Sequence, residues 1–206
     1  MESYLEMEQR LNAANRELEN SRRRWGSNIG RRYANASLEE CTSKALTDYA
    51  LNISDNVEKG NGLYIFGDKG VGKTYLAAAI ANTALEQEKS VKFTSAAEIL
   101  LAVKASFSSK QSEKGSMQEY LTTNVLFLDD FGVEKFMKDN EDTWSQERII
   151  YLVNYRYNNL LPIIFTSNYS LADLASKRGV SGRIIDRIRE TCDVVKIEGK
   201  SWRDKS

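Results

Sequence analysis

At 206 residues, 41% of them apolar, the chain is long enough for one α/β domain with a full core and a short extension. Its 29 basic residues equal its 29 acidic residues, so it is not a general nucleic-acid coat, and any DNA contact must come from local patches. It has no histidine and only two cysteines, far apart in sequence, which excludes a Ser-His-Asp triad and a zinc site.

The sequence also predicts where the protein resides. No apolar run approaches the roughly 18 residues that a membrane-spanning helix needs, and the polar, acidic N-terminus does not look like a signal peptide. We therefore expect a cytoplasmic protein that has no membrane partner and keeps Cys41 and Cys192 as free thiols.

The first 35 residues are predicted to form a helical arm and a basic linker. Residues 2–25 carry a thin apolar stripe of near-heptad spacing, which indicates a charged helix. Arg22-Arg23-Arg24-Trp25 and Arg31-Arg32-Tyr33 make the densest basic patch of the chain. This patch fits a contact with nucleic acid, a partner protein or the nucleotide. A solvated hinge whose arginines pair with nearby glutamates explains it equally well.

Two sequences of the capping-box type predict helix starts. Ser37-Leu38-Glu39-Glu40 predicts a helix that continues to about residue 57, and Ser95-Ala96-Ala97-Glu98 predicts a second helix. Residues 106–116 are rich in Ser, Lys and Gly and are predicted to form a mobile loop.

The residues in and beside this loop combine positive charge with an aromatic ring, as single-stranded DNA sites do. An ordinary polar loop explains the same composition. The candidate contacts are Lys104, Phe107, Lys110 and Lys114.

A phosphate-binding loop is the clearest motif of the chain. Gly67-Asp68-Lys69-Gly70-Val71-Gly72-Lys73-Thr74 matches G-x-x-x-x-G-K-[ST] in full, between an apolar run and a helix-forming segment. In such a loop the glycines let backbone N–H groups surround a phosphate, and the following helix adds its positive N-terminus. Lys73 is expected to reach the β- and γ-phosphates, and Thr74 to offer its hydroxyl to Mg²⁺.

Two later strands are predicted to end in polar residues at the carboxyl edge of the sheet, where α/β proteins bind their ligands. Residues 124–130 end in a pair of acids. We expect Asp129 to hold Mg²⁺ and Asp130 to orient or deprotonate the attacking water. Residues 163–166 are followed by Asn168, whose amide is suited to bind the γ-phosphate and that water.

The remaining predicted elements are helices over residues 143–160, 170–178 and 181–190 and a strand over residues 193–197. The last helix carries Arg183, Arg187 and Arg189. Arginines at this place are candidates for a finger that acts on the nucleotide of another subunit.

In their order, five segments resemble the DnaC/DnaI-type replicative helicase loaders within the IstB-like AAA+ ATPases. The segments are GLYIFGDKGVGKTYLAAAIAN, VLFLDDFGVE, IIYLVNYRYNNLLPIIFTSN, GRIIDRIRE and KSWR. The resemblance covers about residues 33–206. It implies an α/β P-loop NTPase fold of the AAA+/ASCE class, with a five-stranded parallel sheet in the order 5-1-4-3-2. The domain division is then an arm over 1–35 and an ATPase domain over 36–206.

The resemblance also implies a role for residues along the domain. The implied roles are Walker A for 67–74, Walker B for Asp129 and Asp130, sensor 1 for Asn168, arginine finger for Arg187 with Arg183 as its rival, and sensor 2 for Arg203. The region 95–120 corresponds to the part of the family that contacts single-stranded DNA, and Tyr33 lies near the adenine position.

The implied function is an ATP-dependent loader. Several copies would bind ATP and Mg²⁺ between subunits, engage the hexameric replicative helicase and help place it on single-stranded DNA during replication initiation. Two departures from the wider group are informative. The arm is short and lacks metal ligands, which favours a compact phage-type member, and Asp130 replaces the commoner glutamate, which predicts slow intrinsic hydrolysis.

Two alternatives share the same core. One is an IstB-like ATPase that works with a transposase, and the other is a nucleotide-binding helicase adaptor or antagonist with little turnover. A small-molecule kinase fits less well, because it would leave the arginine-bearing helix unexplained.

Overall fold

A parallel sheet of five strands forms the centre of the protein in a computed structural model, which describes residues 6–10, 26–39, 41–108, 112–133 and 140–201. The strands are β1 (Gly62–Gly67), β2 (Val91–Ser95), β3 (Val125–Asp129), β4 (Ile163–Ser167) and β5 (Cys192–Ile197). Their order across the sheet is β2-β3-β4-β1-β5, and every neighbouring pair is parallel. This confirms the predicted order 5-1-4-3-2.

Helices cover both faces of the sheet. They are α1 (Lys44–Leu51), α2 (Ile53–Lys59), α3 (Lys73–Glu86), α4 (Ala96–Ser106), α5 (Glu113–Thr122), α6 (Asn140–Asn158), α7 (Leu171–Arg178) and α8 (Gly182–Thr191). Within the described ranges, no helix combines the length and apolar character that crossing a bilayer requires. A short 3-10 helix, Arg31–Tyr33, precedes α1.

Alternate residues of the central strands β1, β3 and β4 face two separate apolar clusters. Ile65 and Phe127 pack with α1, α2 and α3, whereas Tyr64 and Leu128 pack with α4 to α8. Because both faces of a central strand are covered, its sequence is continuously apolar and its polar residues are confined to its end. The register of the sheet aligns the carboxyl ends of β1, β4 and β3, because Phe165 of β4 pairs with Tyr64 on one side and with Leu128 on the other.

The helix predicted from Ser37 is wrong, because the first helix after it begins only at Lys44. Tertiary contacts hold this segment on α3. The Asn82 amide donates to three backbone carbonyls between residues 33 and 36, at 2.9 to 3.3 Å, and Ser37 N–H donates to the Tyr75 hydroxyl. The second capping box is confirmed, since Ser95 Oγ accepts from Glu98 N at 3.2 Å and Glu98 bonds back to Ser95 N.

The mobile loop predicted over 106–116 is wrong in its second half, where α5 begins. Ser112 caps this helix by accepting from Gly115 N at 3.1 Å, and Met117 and Leu121 bury its inner face. Only three apolar positions mark the helix, so its sequence pattern is weak. Of the helix predicted over 2–25, residues 6–10 are helical, and residues 2–5 and 11–25 lie outside the described residues.

A fully buried arginine joins α6 to the starts of two strands. Arg156 donates to five backbone carbonyls at 2.8 to 3.3 Å, those of Tyr120, Leu121, Thr123, Asn124 and Pro162. Desolvation lowers its pKa to about 9, which still leaves it charged at neutral pH. The guanidinium therefore supplies the donors that the end of α5 and the strand entries lack.

Replacing Arg156 with leucine is expected to lower the free energy of unfolding by about 3 kcal/mol or more, because several buried carbonyls lose their donors together. Urea denaturation at neutral pH measures the change. Arg189→Leu is the matched control, since Arg189 is exposed and should change stability by no more than about 0.5 kcal/mol. Equal midpoints and slopes for the two variants would contradict the role of Arg156.

Candidate functional site

The phosphate loop, residues 67–74, connects the end of β1 to the start of α3 at Lys73. Gly70 and Gly72 have φ values of 85° and 95°, which a side chain would strain. The first N–H groups of α3 have no partner within the helix and carry its partial positive charge. This end of the sheet is therefore built to receive an anion.

The Lys73 ammonium is held at the mouth of the loop by three oxygen atoms. Its Nζ donates to Gly67 O at 3.0 Å, to Asp68 O at 2.8 Å and to Asn168 Oδ1 at 2.8 Å. The side chain is 6% exposed, so the charge lies in a restricted space rather than in bulk solvent. The structure thus brings together the lysine and the asparagine that the sequence predicted at this edge.

A hydroxyl and a carboxylate meet beside the lysine. Thr74 Oγ1 lies 3.0 Å from Asp129 Oδ1 and 3.3 Å from Oδ2. On its other side Asp129 accepts from Thr166 Oγ1 at 2.5 Å. Desolvation raises the pKa of Asp129, and the bonds from Thr166 and Thr74 oppose that rise. Hard oxygen ligands of this kind suit Mg²⁺.

Asp130 follows at the same edge, exposed and with a φ of 51°. Aspartate is one of the few residue types other than glycine that adopt this left-handed region readily. Its backbone N–H donates to Thr166 Oγ1 at 2.9 Å. Sequence reasoning missed Thr166, although a hydroxyl residue just before the polar end of a parallel strand was a usable signal.

The two candidate finger arginines lie at different places on α8. Arg183 is exposed in its first turn. Arg187 stacks its guanidinium on the Tyr157 ring, 3.8 Å from the centroid, and pairs with Glu190 at 3.0 Å. The Tyr157 hydroxyl bonds the same carboxylate at 2.5 Å.

Arg187 lines a cavity of about 420 Å³ together with Gly60 and Leu161, which precede β1 and β4. The cavity is therefore at the amino edge of the sheet, whereas the phosphate loop is at the carboxyl edge. A strand of six residues separates these edges by roughly 20 Å. The structure does not bring Arg187 to the loop of its own chain.

The end of the described chain approaches the phosphate loop. A Cβ placed on Gly70 would collide with Ser201 Oγ, so the tail passes directly against the loop. Arg203, the sensor-2 candidate, lies outside the described residues. Tyr33, near the expected adenine position, packs against the cluster beneath α3.

Two of the predicted DNA contacts surround Trp144 on α6. Lys104 Nζ lies 5.6 Å from this ring, and the Phe107 ring lies 5.9 Å from it. Arg148 adds a second cation at 4.9 Å, which the sequence did not indicate. Lys114 is exposed in the first turn of α5. Lys110 lies outside the described residues.

Comparison with known proteins places this geometry in a family. The sequence model described as IstB-like ATP binding protein matches residues 36–206. The replicative helicase loader DnaI of Bacillus subtilis (strain 168) is 32% identical over 169 residues, which cover 77% of this chain and 52% of DnaI. The phage-like element PBSX protein XkdC of the same strain is 28% identical, over 79% of this chain and 59% of XkdC.

Among solved structures, the crystal structure of the DnaC helicase loader superposes with a TM-score of 0.67 and 30% identity, covering 82% of this chain and all of that one. The chain spans about half the length of DnaI itself. The family match covers the described phosphate loop and all five strands. The chain therefore belongs to the IstB-like ATP binding protein family and has its P-loop AAA+ fold.

Proposed function

We propose that this protein is an ATP-dependent loader that binds a replicative DNA helicase and helps place it on single-stranded DNA. The similarity to the loaders DnaI and DnaC is the observation that carries the proposal. The match to XkdC favours a member of the phage type. In this proposal residues 1–35 form the helicase-binding arm and residues 36–206 the ATPase domain.

The described residues fit a nucleoside triphosphate with Mg²⁺. The glycines with positive φ, the restricted Lys73 ammonium and the Thr74–Asp129 pair supply backbone donors, a cation and hard oxygen ligands at one edge. When bound, ATP supplies the labile phosphoanhydride bond, and Mg²⁺ supplies a positive charge that partly neutralises the phosphates.

The chain's own residues then have separate tasks. Lys73 exchanges its carbonyl and amide acceptors for phosphate oxygens, because a charged acceptor makes the stronger hydrogen bond. That exchange frees the Asn168 amide to orient a water molecule. Asp130, exposed beside Asp129, accepts a proton from that water. Arg203 completes the binding of the nucleotide from the tail.

Asp130→Asn is expected to bind ATP as tightly as the parent and to lower kcat by about 100-fold or more, because an amide cannot accept the proton of the attacking water. A fluorescent ATP analogue measures binding, and release of phosphate measures turnover. Asp186→Asn is a suitable control, since Asp186 is exposed on α8 away from this edge. Parental turnover by Asp130→Asn would remove the residue from its assigned role.

Assembly completes the proposal. ATP bound between copies would order them, and hydrolysis would release the assembly from the helicase. Arg187 acts on the nucleotide of a neighbouring copy, with Arg183 as the rival candidate. Lys104, Phe107, Lys110 and Lys114 contact the single-stranded DNA, and Trp144 extends this surface.

The test combines a pull-down with the hexameric replicative helicase and ATPase assays with and without helicase and single-stranded DNA. We expect nucleotide-dependent association and a rise in turnover when both partners are present, with Lys73→Ala inactive in both assays. Absence of association with or without ATP would contradict the loader. ATP-dependent binding of double-stranded DNA without helicase contact would indicate the transposition role, and binding without turnover would indicate an adaptor.

A further inference from the structure

A single hydroxyl joins the two candidate catalytic acids. Thr166 is 1% exposed near the end of β4. Its Oγ1 donates to Asp129 Oδ1 at 2.5 Å and accepts from Asp130 N at 2.9 Å. A hydroxyl has one proton to donate, so these two bonds use its donor and one of its acceptor positions.

Two hydrogen bonds to Phe131 attach the end of the same strand to the turn that contains Asp130. Thr166 O accepts from Phe131 N at 2.8 Å, and Ser167 Oγ donates to Phe131 O at 2.6 Å. The turn contains Asp130 in its left-handed conformation, which persists where surrounding bonds enforce it. Thr166 is therefore placed to set both the carboxylate of Asp129 and the backbone of Asp130.

Thr166 and Asn168 are two residues apart, which is the spacing of side chains that lie on the same face of an extended strand. Asn168 contacts Lys73, and Thr166 contacts Asp129, which in turn contacts Thr74. The end of β4 thus makes side-chain contacts with both halves of the phosphate site. A displacement of this strand would move the lysine partner and the acid partner together.

We propose that Thr166 is a positioning residue for the metal-holding carboxylate and for the water-activating acid. The inference rests on the proposed function, because it requires Asp129 to hold Mg²⁺ and Asp130 to act on water. Asp129 Oδ1 contacts both Thr166 and Thr74, and Oδ2 lies 3.3 Å from Thr74, so the Thr166 hydroxyl limits the rotation of the carboxylate beside Thr74. Hydrogen-bond partners of metal ligands typically contribute 10- to 100-fold to metal affinity or activity.

Thr166→Val keeps the shape of the side chain and removes only the hydroxyl function. We expect affinity for Mn²⁺ in the presence of a non-hydrolysable ATP analogue, followed by Mn²⁺ electron paramagnetic resonance, to fall by about 10- to 100-fold. Binding of the analogue without metal should stay within about twofold of the parent, because Lys73 and the loop are unchanged. Thr166→Ser restores the hydroxyl and should recover metal affinity.

Thr83→Val is the matched control, because the Thr83 hydroxyl donates to Ala79 O inside α3. It should leave Mn²⁺ affinity and turnover at the parental values. Thermal denaturation and metal-free binding establish that each variant is folded. If Thr166→Val does not fold, Thr166→Ala is measured in the same way.

Asp129→Ala distinguishes a failure of the proposed metal site from a failure of the proposed role of Thr166. Parental Mn²⁺ affinity in Asp129→Ala would overturn the proposed metal site itself. Weakened affinity in Asp129→Ala, with parental affinity and turnover in the folded Thr166 variant that lacks the hydroxyl, would overturn the role of Thr166 alone. Weakening in both, with recovery in Thr166→Ser, supports the inference.

Discussion

Replacing Lys73 with alanine is expected to weaken ATP binding by about 100-fold or more while the protein stays folded. The side chain is the buried cation at the phosphate loop, and its three acceptors belong to the loop and to the end of β4. Removing it leaves the phosphate charges without their closest ammonium donor. Truncating one partner of a buried, hydrogen-bonded charge pair typically costs about 2 to 5 kcal/mol of binding free energy, which corresponds to a loss in affinity of about 30-fold or more.

The fold should persist, because removing the lysine also removes its own desolvation cost. Asp68 is exposed, so water can replace the donor that its carbonyl loses, and the loss of a buried donor then falls mainly on Gly67 O. Titration with a fluorescent ATP analogue measures affinity, and thermal denaturation without nucleotide measures stability. Lys44→Ala, at an exposed position that begins α1, should bind ATP normally. Equal affinity in Lys73→Ala and parent would refute the assignment of the loop.

Replacing Arg187 with alanine is expected to abolish the gain in ATPase rate that assembly provides and to leave ATP binding by the dilute subunit unchanged. Arg187 lies at the amino edge of the sheet, beside residues that precede β1 and β4, and the loop lies at the opposite edge. As a finger it could therefore serve only the nucleotide of another copy. Arginine fingers supplied between subunits are worth about 10³-fold or more in kcat.

Mixing two inactive variants tests whether Arg187 acts between subunits by a gain of activity rather than by a loss. Asp130→Asn subunits retain an intact finger, and Arg187→Ala subunits retain intact acids. Each head-to-tail interface combines the acids of one subunit with the finger of its neighbour. In an equal mixture about a quarter of the interfaces therefore contain intact acids and an intact finger. We expect partial recovery of turnover. No recovery in mixtures that do assemble would contradict a finger acting between copies.

Arg189→Ala provides the matched control on the same helix. Arg189 is exposed, and its nearest ion-pair partner is Asp186 at 3.8 Å, so its loss should change neither binding nor turnover. Arg183→Ala distinguishes the rival candidate. If Arg183→Ala removes the gain on assembly and Arg187→Ala does not, the finger is Arg183. A defect of Arg187→Ala in the dilute subunit would instead indicate a structural role.

Local signals were sufficient for the elements nearest the nucleotide. The phosphate loop, the strand before it and the helix after it are where the sequence predicted them. The ends of β3 and β4 are also where the sequence predicted them. These features follow from residue types at fixed spacing, because glycine positions, buried strands and strand-terminal polar residues are determined within a few residues.

Features that depend on distant partners were not predictable in the same way. The capping sequence at Ser37 does not begin a helix, because Asn82 of α3 binds the carbonyls that precede it. The helix α5 was missed, because most of its stabilisation comes from burying a few side chains against neighbouring helices. Arg156 carried no local signal either, since its five acceptors belong to the end of α5 and to the residues that precede β3 and β4.

The sequence alone therefore determined the fold class and the strand order implied by resemblance, and it predicted the residues that the structure brings together at the phosphate loop. Only the tertiary structure decided that Thr166 bridges Asp129 and Asp130, and that Arg187 lies at the opposite edge of the sheet from the loop of its own chain. The physical reason is that the residue types of a motif are determined by local backbone chemistry. A hydroxyl that bridges two strands depends on how the strands align, and the edge of the sheet at which a helical residue lies depends on how the helix packs.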